Sequence, residues 1–350
     1  MDVNACMPWT SISSKASDQA QGDENGTVES TALSVSTVLA THDNYGKLYV
    51  APELQFEIEE TADDPSAQAY QTKKDAKFWD DFYVNFGDWQ VGYPGSGEDT
   101  GKVVDLALDN TTGSGFRSKY PYLYGHLGMK LKLVGGNSAG TVTSYYLASV
   151  YEKWCELDFE FLGNVSGEPY ILQTNVFAEG KGDREQRIYL WFDPSEDYHY
   201  YGILWNQDLI LFLVDDTVVR VFHNSKDLGI PYLEYQPMYV YSSIWNGEQW
   251  ATRGGADKTD WSQQPFIASY KDFDVDSCAV FGHGEEHADT HECYKKLYSS
   301  WYGDAESGKL TQKQIDDLKR IQYNYVIYDY CTDTERFEET PKECARNWPQ

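Results

Sequence analysis

The chain has 350 residues, is 41% hydrophobic and 15% aromatic, and carries a formal net charge of −28 at neutral pH. So large an excess of negative charge repels phosphate backbones and anionic headgroups, which excludes nucleic acid or an acidic membrane as a partner and suits an uncharged polymer. No apolar run reaches the ~18 residues needed to cross a bilayer. The length allows one large core with an appendage.

Residues 1–72 hold twelve acidic residues against two lysines. The first thirty have too few apolar side chains to offset the entropy of ordering, which predicts disorder. The start, MDVNACMPWTSISSK, lacks a basic stretch followed by an apolar one, so no secretory signal is read there. Over residues 33–58 apolar and polar positions alternate (Leu54, Phe56, Ile58) around a turn at Asp43–Gly46, which predicts a pair of strands. Beyond about residue 73, short strand-like runs alternate with turns rich in Gly, Asp and Asn, a pattern that predicts an all-β fold.

Residues 156–164 read Glu-Leu-Asp-Phe-Glu-Phe-Leu-Gly-Asn. A strand has period two, so Glu156, Asp158 and Glu160 share one face and Leu157, Phe159 and Phe161 the other. Three neighbouring carboxylates repel one another, and the arrangement needs a use that offsets its cost. Cleavage of a glycosidic bond is such a use, since it takes one carboxylate as nucleophile and another as acid/base. At ~3.3 Å per residue the outer two α-carbons stand roughly 13 Å apart. Side chains leaning inward leave about 5 Å between carboxyls, the separation of a retaining mechanism. Asp158, between them, can share a proton with the nucleophile. The next predicted strand, Ile171–Phe177, turns Gln173 and Asn175 to one face, where amides can bind sugar hydroxyls.

Further along, His283, His287, His291 and Cys293 have metal-like spacing. No metal or other cofactor is expected, since these residues fall in a variable loop. Thr311 to Gln314 reads as a capping box that opens a helix with Ile315, Leu318 and Ile321 on one face, followed by a strand over Tyr323–Tyr330. Six cysteines occur, at 6, 155, 278, 293, 331 and 344, and sequons occur at Asn25, Asn110 and Asn164.

Together the segments ELDFEFLGNVSGEPYILQTNVFAEGKGDREQ, YLWFDPSEDYHYYGILWN, QPMYVYSSIWNGEQWATRGGADKTDW and YNYVIYDYCTDTERF resemble the plant xyloglucan endotransglucosylase/hydrolases of glycoside hydrolase family 16. The resemblance covers about residues 73–344 in the family's order and approximate spacing. It implies a curved β-sandwich (jelly roll) with an open cleft over residues 73–272. Residues 273–350 would form a C-terminal extension with a short helix and an added strand, and 1–72 an atypical acidic N-terminal extension.

The resemblance makes Glu156 the nucleophile, Glu160 the general acid/base and Asp158 the assisting acid. It maps substrate contacts onto Gln173, Thr174, Asn175, Asp183, Arg184, Glu185, Gln249, Trp250, Gly254 and Arg336. It also implies disulfides Cys278–Cys293 and Cys331–Cys344 and a glycan on Asn164, hence a secreted wall protein despite the missing signal. The expected partner is xyloglucan or a related β-glucan, as donor and acceptor, acted on by a monomer. The segment WNGEQWATRGGADKTDW lacks the loop insertion of mainly hydrolytic members, which favours transfer over hydrolysis.

One departure stands out. The two residues before Glu156 are usually His-Asp in that family, and here they are Trp154 and Cys155. Strand parity places Trp154 on the acidic face and Cys155 in the core. Two alternatives stay open at this stage: an endo-hydrolase or hetero-transglucosylase acting on mixed-linkage glucan or cellulose, and a non-catalytic glucan-binding wall protein.

Overall fold

The computed structural model describes residues 40–42, 48–50, 77–281, 290–304 and 306–347. Two compact units divide the chain, Met1–Gln68 and Ala69–Gln350. In the first, Ala40–His42 (β1) pairs antiparallel with Leu48–Val50 (β2), within the alternation expected over 33–58. The disorder expected for the first thirty residues, and the rest of that alternation, lie outside the described residues.

The second unit is a β-sandwich of two antiparallel sheets. From edge to edge, the first sheet contains Val326–Asp329 (β17), Gln186–Tyr189 (β11), Ile171–Phe177 (β10), Glu156–Leu162 (β9), Thr141–Ala148 (β8), Tyr239–Asn246 (β15), Ser114–Ser118 (β6) and Phe82–Phe86 (β3). The second contains Thr217–His223 (β14), Leu209–Val214 (β13), His199–Trp205 (β12), Tyr122–Lys132 (β7), Phe266–Ala279 (β16), Val103–Leu108 (β5) and Val91–Gly92 (β4).

The core lies between them, and β9 shows how the sequence drives it. Leu157, Phe159 and Phe161 are fully buried. The Phe159 ring meets Phe212 of β13 at 5.2 Å, and Phe161 meets Tyr201 of β12 at 4.6 Å, both edge to face. Each such side chain contributes about 1.5–3 kcal/mol by leaving water. That burial fixes the register: a slip by one residue would bring three acids into the core.

Among the described residues four α-helices border the sandwich: Phe78–Asp81 (α1), His291–Leu297 (α2), Gln312–Asn324 (α3) and Cys344–Asn347 (α4). The capping box opens α3 as expected, with the Thr311 hydroxyl accepting from Gln314 N–H and the Gln314 side chain accepting from Thr311 N–H. Leu318 and Ile321 are buried and α3 packs beside β14. The strand after it is shorter than Tyr323–Tyr330. Tyr323 and Asn324 still belong to the helix, and the Asp329 carboxylate turns the chain by accepting from Cys331 N–H. Disulfides join Cys278 to Cys293 and Cys331 to Cys344.

Candidate active site

Because the odd residues of β9 fill the core, its even residues lie on the outer face of the eight-stranded sheet. The antiparallel register sets their neighbours. On β10, Phe177 is opposite Glu156, Asn175 opposite Asp158 and Gln173 opposite Glu160. On β8, Ala148, Tyr146 and Ser144 take the matching positions. Among the described residues of the second unit no further sheet covers this face, yet Asp158, Gln173 and Asn175 are each only 6% exposed, so the acids sit in a recess.

Burial dominates the proton affinities there. Asp158 is held well above the usual carboxylate range, first by desolvation and then by the charges of Glu156 and Glu160, and it shares a hydrogen bond with Glu156. Glu156 is also raised by burial, while the bond from Asp158 favours its ionised form and the charge of Glu160 opposes it. The bond between them thus favours the proton on Asp158 and the charge on Glu156. Glu160 is raised by burial, an effect that a Gln173 hydrogen bond and the Arg187 charge partly offset and that Glu185 reinforces. One carboxylate prepared to attack beside another able to keep a proton is the division of labour that glycoside cleavage needs.

The expected contact residues separate by parity. Gln173 donates from Nε2 to Glu160 Oε2 at 2.7 Å. Asn175 accepts from the backbone N–H of Val176 and Arg184 at 2.9 and 3.1 Å, which fixes its amide beside Asp158. Thr174 lies between these two on the strand, so its side chain enters the intersheet layer, where its hydroxyl and its backbone carbonyl both accept from Arg220 at 2.9 Å.

Residues 183–185 repeat the pattern. Asp183 and Glu185 turn outward and share the Arg336 guanidinium, at 2.5 Å and 2.6 Å. Arg184 turns inward, where its guanidinium pairs with Glu343 through Nε and donates from Nη1 to the carbonyls of Val176, Lys181 and Gly182.

Beyond Glu160 the outer face becomes apolar. Leu162 and Val142 are covered by Ala251 and Trp250, and the Trp250 ring lies 6.0 Å from that of Trp245. Thr252 pins this segment by accepting from Gly140 N–H and donating to the Gly163 carbonyl. Gly255 is required here, since a Cβ would lie 2.2 Å from the Gln249 carbonyl oxygen. Gln249 and Gly254 are exposed on this segment and Trp250 half-buried.

Cys155 is buried in the core, and burial pushes its thiol up to about 11. Trp154 precedes the strand rather than joining it, and its ring stacks on Phe177 at 5.9 Å. Asn164, half-buried, donates to the Pro169 carbonyl. Cys293 is engaged in its disulfide and cannot be a metal ligand, and His283 and His287 lie outside the described residues. Among the described residues no cluster of His, Cys, Asp and Glu is arranged to hold a metal.

Several outer-face residues were not singled out from the sequence: Arg187, which donates to Gln173; Tyr146, stacked on Tyr241 at 5.0 Å; and Arg117, over the Tyr239 ring at 4.2 Å. Tyr146 is in register with Asp158, Arg187 with Gln173 opposite Glu160, and Arg117 continues the Asp158 row through Tyr241. The period-two reading of β9, extended to its flanking strands, is the signal that would have found them.

Residues 78–263 match the family model "Glycosyl hydrolases family 16", and residues 298–344 match "Xyloglucan endo-transglycosylase (XET) C-terminus". Similar proteins include xyloglucan endotransglucosylase protein 34 of Populus tremula x Populus tremuloides, 52% identical over 71% of this chain and 82% of that one. Probable xyloglucan endotransglucosylase/hydrolase protein 5 of Arabidopsis thaliana is 51% identical over the same shares. A probable xyloglucan endotransglucosylase/hydrolase of Nicotiana tabacum is 48% identical over 78% of this chain and 90% of its own.

Proposed function

This chain belongs to the xyloglucan endotransglucosylase/hydrolases of glycosyl hydrolase family 16, and from that premise we propose that Glu156 and Glu160 cut and religate xyloglucan by a retaining mechanism. The carboxylate of Glu156 attacks the anomeric carbon, and the electron pair of the breaking bond leaves with the glycosidic oxygen, which takes the proton of Glu160. Glu160, now ionised, accepts a proton from the hydroxyl of an incoming chain as that oxygen replaces Glu156 at carbon 1. Asp158 shares its proton with Glu156 and so steadies that carboxylate as it attacks and leaves. Gln173, Asn175, Asp183, Glu185 and Arg336 bind sugar hydroxyls around this centre. Gln249, Trp250 and Gly254 hold the acceptor, whose residence decides transfer against hydrolysis. The disulfides and the Asn164 sequon support work in an oxidising wall compartment; a monomer suffices for the chemistry.

The observation that carries this reading is the placement of Glu156, Asp158 and Glu160 on one recessed strand face, opposite Phe177, Asn175 and Gln173, where burial raises the proton affinity of all three acids. Xyloglucan incubated with a labelled oligosaccharide acceptor tests it. Label is expected in polymer; release of reducing ends without labelled polymer would leave only a hydrolase.

A further inference from the structure

The Arg187 guanidinium donates from Nε to Gln173 Oε1 at 2.8 Å, and Gln173 donates from Nε2 to Glu160 Oε2 at 2.7 Å. The three residues are cross-strand neighbours on β11, β10 and β9. Arg187 is half-buried and lies over the ring of Tyr328, its partner on β17, at 5.6 Å. We propose that Arg187 is a positioning residue that fixes which oxygen of Glu160 carries the transferred proton, acting through the side-chain amide of Gln173. The proposal rests on the assignment of Glu160 as the acid/base.

The chemistry follows from what each group can do. A guanidinium only donates, so the carbonyl oxygen of Gln173 must face Arg187 and its NH₂ must face Glu160. Glu160 cannot impose that orientation itself, because a protonated carboxyl both donates and accepts. An amide donor held at Oε2 favours the unprotonated carbonyl form of that oxygen, so the proton resides on Oε1, free to reach the leaving glycosidic oxygen. Without Arg187 the amide can rotate by half a turn and accept the Glu160 proton at its own oxygen. That arrangement withholds the proton from substrate. It also stabilises protonated Glu160, so the group would titrate at higher pH while working more slowly.

The test compares Arg187→Met, Arg187→Lys and Glu160→Gln on xyloglucan and on an aryl β-glycoside of a xyloglucan oligosaccharide, whose nitrophenolate departs without a proton. Arg187→Met is expected to lower kcat/KM on xyloglucan roughly tenfold, short of the ~10²–10⁴ of losing the acid itself. The alkaline limb of its pH profile should move upward, and the loss on the aryl donor should be much smaller. Arg187→Lys, still a pure donor, should bring the limb back toward wild type. An unmoved alkaline limb, or equal losses on both donors, would overturn the proposal. If Arg187→Met does not fold, Tyr328→Leu, which removes the ring under the guanidinium, must move the limb in the same direction. Full activity of Glu160→Gln on xyloglucan would overturn the acid/base assignment instead; an inactive Glu160→Gln beside an unmoved Arg187→Met limb would overturn only the role of Arg187.

Discussion

Arg184 and Glu343 form an ion pair with 2.8 Å between Nε and Oε1, and their side chains are 6% and 4% exposed. Glu343 lies in the loop closed by Cys331–Cys344, and the same loop supplies Arg336 to Asp183 and Glu185. Three successive residues beside the acids, alternately outward and inward, are thus held by one disulfide-closed loop. That loop therefore fixes the segment that lies beside the acids. Glu343→Ala leaves a buried guanidinium without its partner, which costs ~3–5 kcal/mol. Urea unfolding should show that loss, with Glu343→Gln milder because it can still accept from Nε. A cost within experimental error for Glu343→Ala would mean the pair does not hold the loop.

Removing the crosslink itself should loosen the same segment more gently. A loop of this size constrains the unfolded chain by ~3 kcal/mol, so Cys331→Ala with Cys344→Ala should lower stability by about that amount. Arg336 would then meet Asp183 and Glu185 for a smaller fraction of the time, and the KM for xyloglucan should rise more than kcat falls. Unchanged KM in a destabilised but folded variant would separate the loop from substrate binding.

Much of this arrangement was legible in β9 because its two faces differ so sharply: Leu157, Phe159 and Phe161 require a core, and that places the three acids outside it. The α3 capping box was equally plain. What the sequence concealed was parity in segments whose alternation is not between apolar and acidic residues. Thr174 and Arg184 are polar residues flanked by polar neighbours, and only Arg220 and Glu343, distant in sequence, reveal that they face inward. The role of Arg187 is hidden for the same reason, since its contact with Gln173 crosses two strands.

The proton held by Asp158 has a thermodynamic consequence. A carboxyl whose affinity for a proton is higher folded than unfolded takes one up on folding. Its contribution is most favourable below the ordinary carboxylate range and is lost as pH rises toward its elevated folded value. Asp158→Asn removes that penalty and can still donate to Glu156. Its melting temperature should equal or exceed wild type near neutral pH, and the advantage should shrink as pH falls toward about 4, the unfolded aspartate value, where both states are protonated. Transfer activity should fall severely, since a fixed amide cannot share a proton with Glu156. A variant less stable at pH 7 than at pH 4 relative to wild type would reverse the sign and refute the proton assignment.

Glu156→Gln should abolish transfer with the fold intact. It removes a charge that Glu160 opposes, so stability near neutral pH should hold or rise. A large drop in melting temperature would make Glu156 a structural residue and move the nucleophile elsewhere.

Trp154 gives the sharpest test of what distinguishes this chain from its relatives. It lies outside the strand, so parity alone does not place it. Its carbonyl accepts from Gly180 N–H at 2.7 Å, and its ring, 37% exposed, stacks on Phe177 with 28° between planes. Phe177 stands opposite Glu156 on the acidic face, so the indole flanks Glu156 through one intervening ring. Indole can donate a hydrogen bond but cannot accept one or take a proton, whereas imidazole does both. Trp154→His therefore exchanges an apolar flank for a polar one that can carry charge. We expect a change of ~1 kcal/mol or more in transition-state stabilisation, about fivefold in kcat/KM, differing between branched and unbranched glucan donors. Trp154→Phe, which keeps the stack on Phe177, should stay closer to wild type. If Trp154→His leaves the kinetics on every glucan donor unchanged, the ring only fills space against the Ala178–Lys181 turn, and this departure from the family carries no specificity.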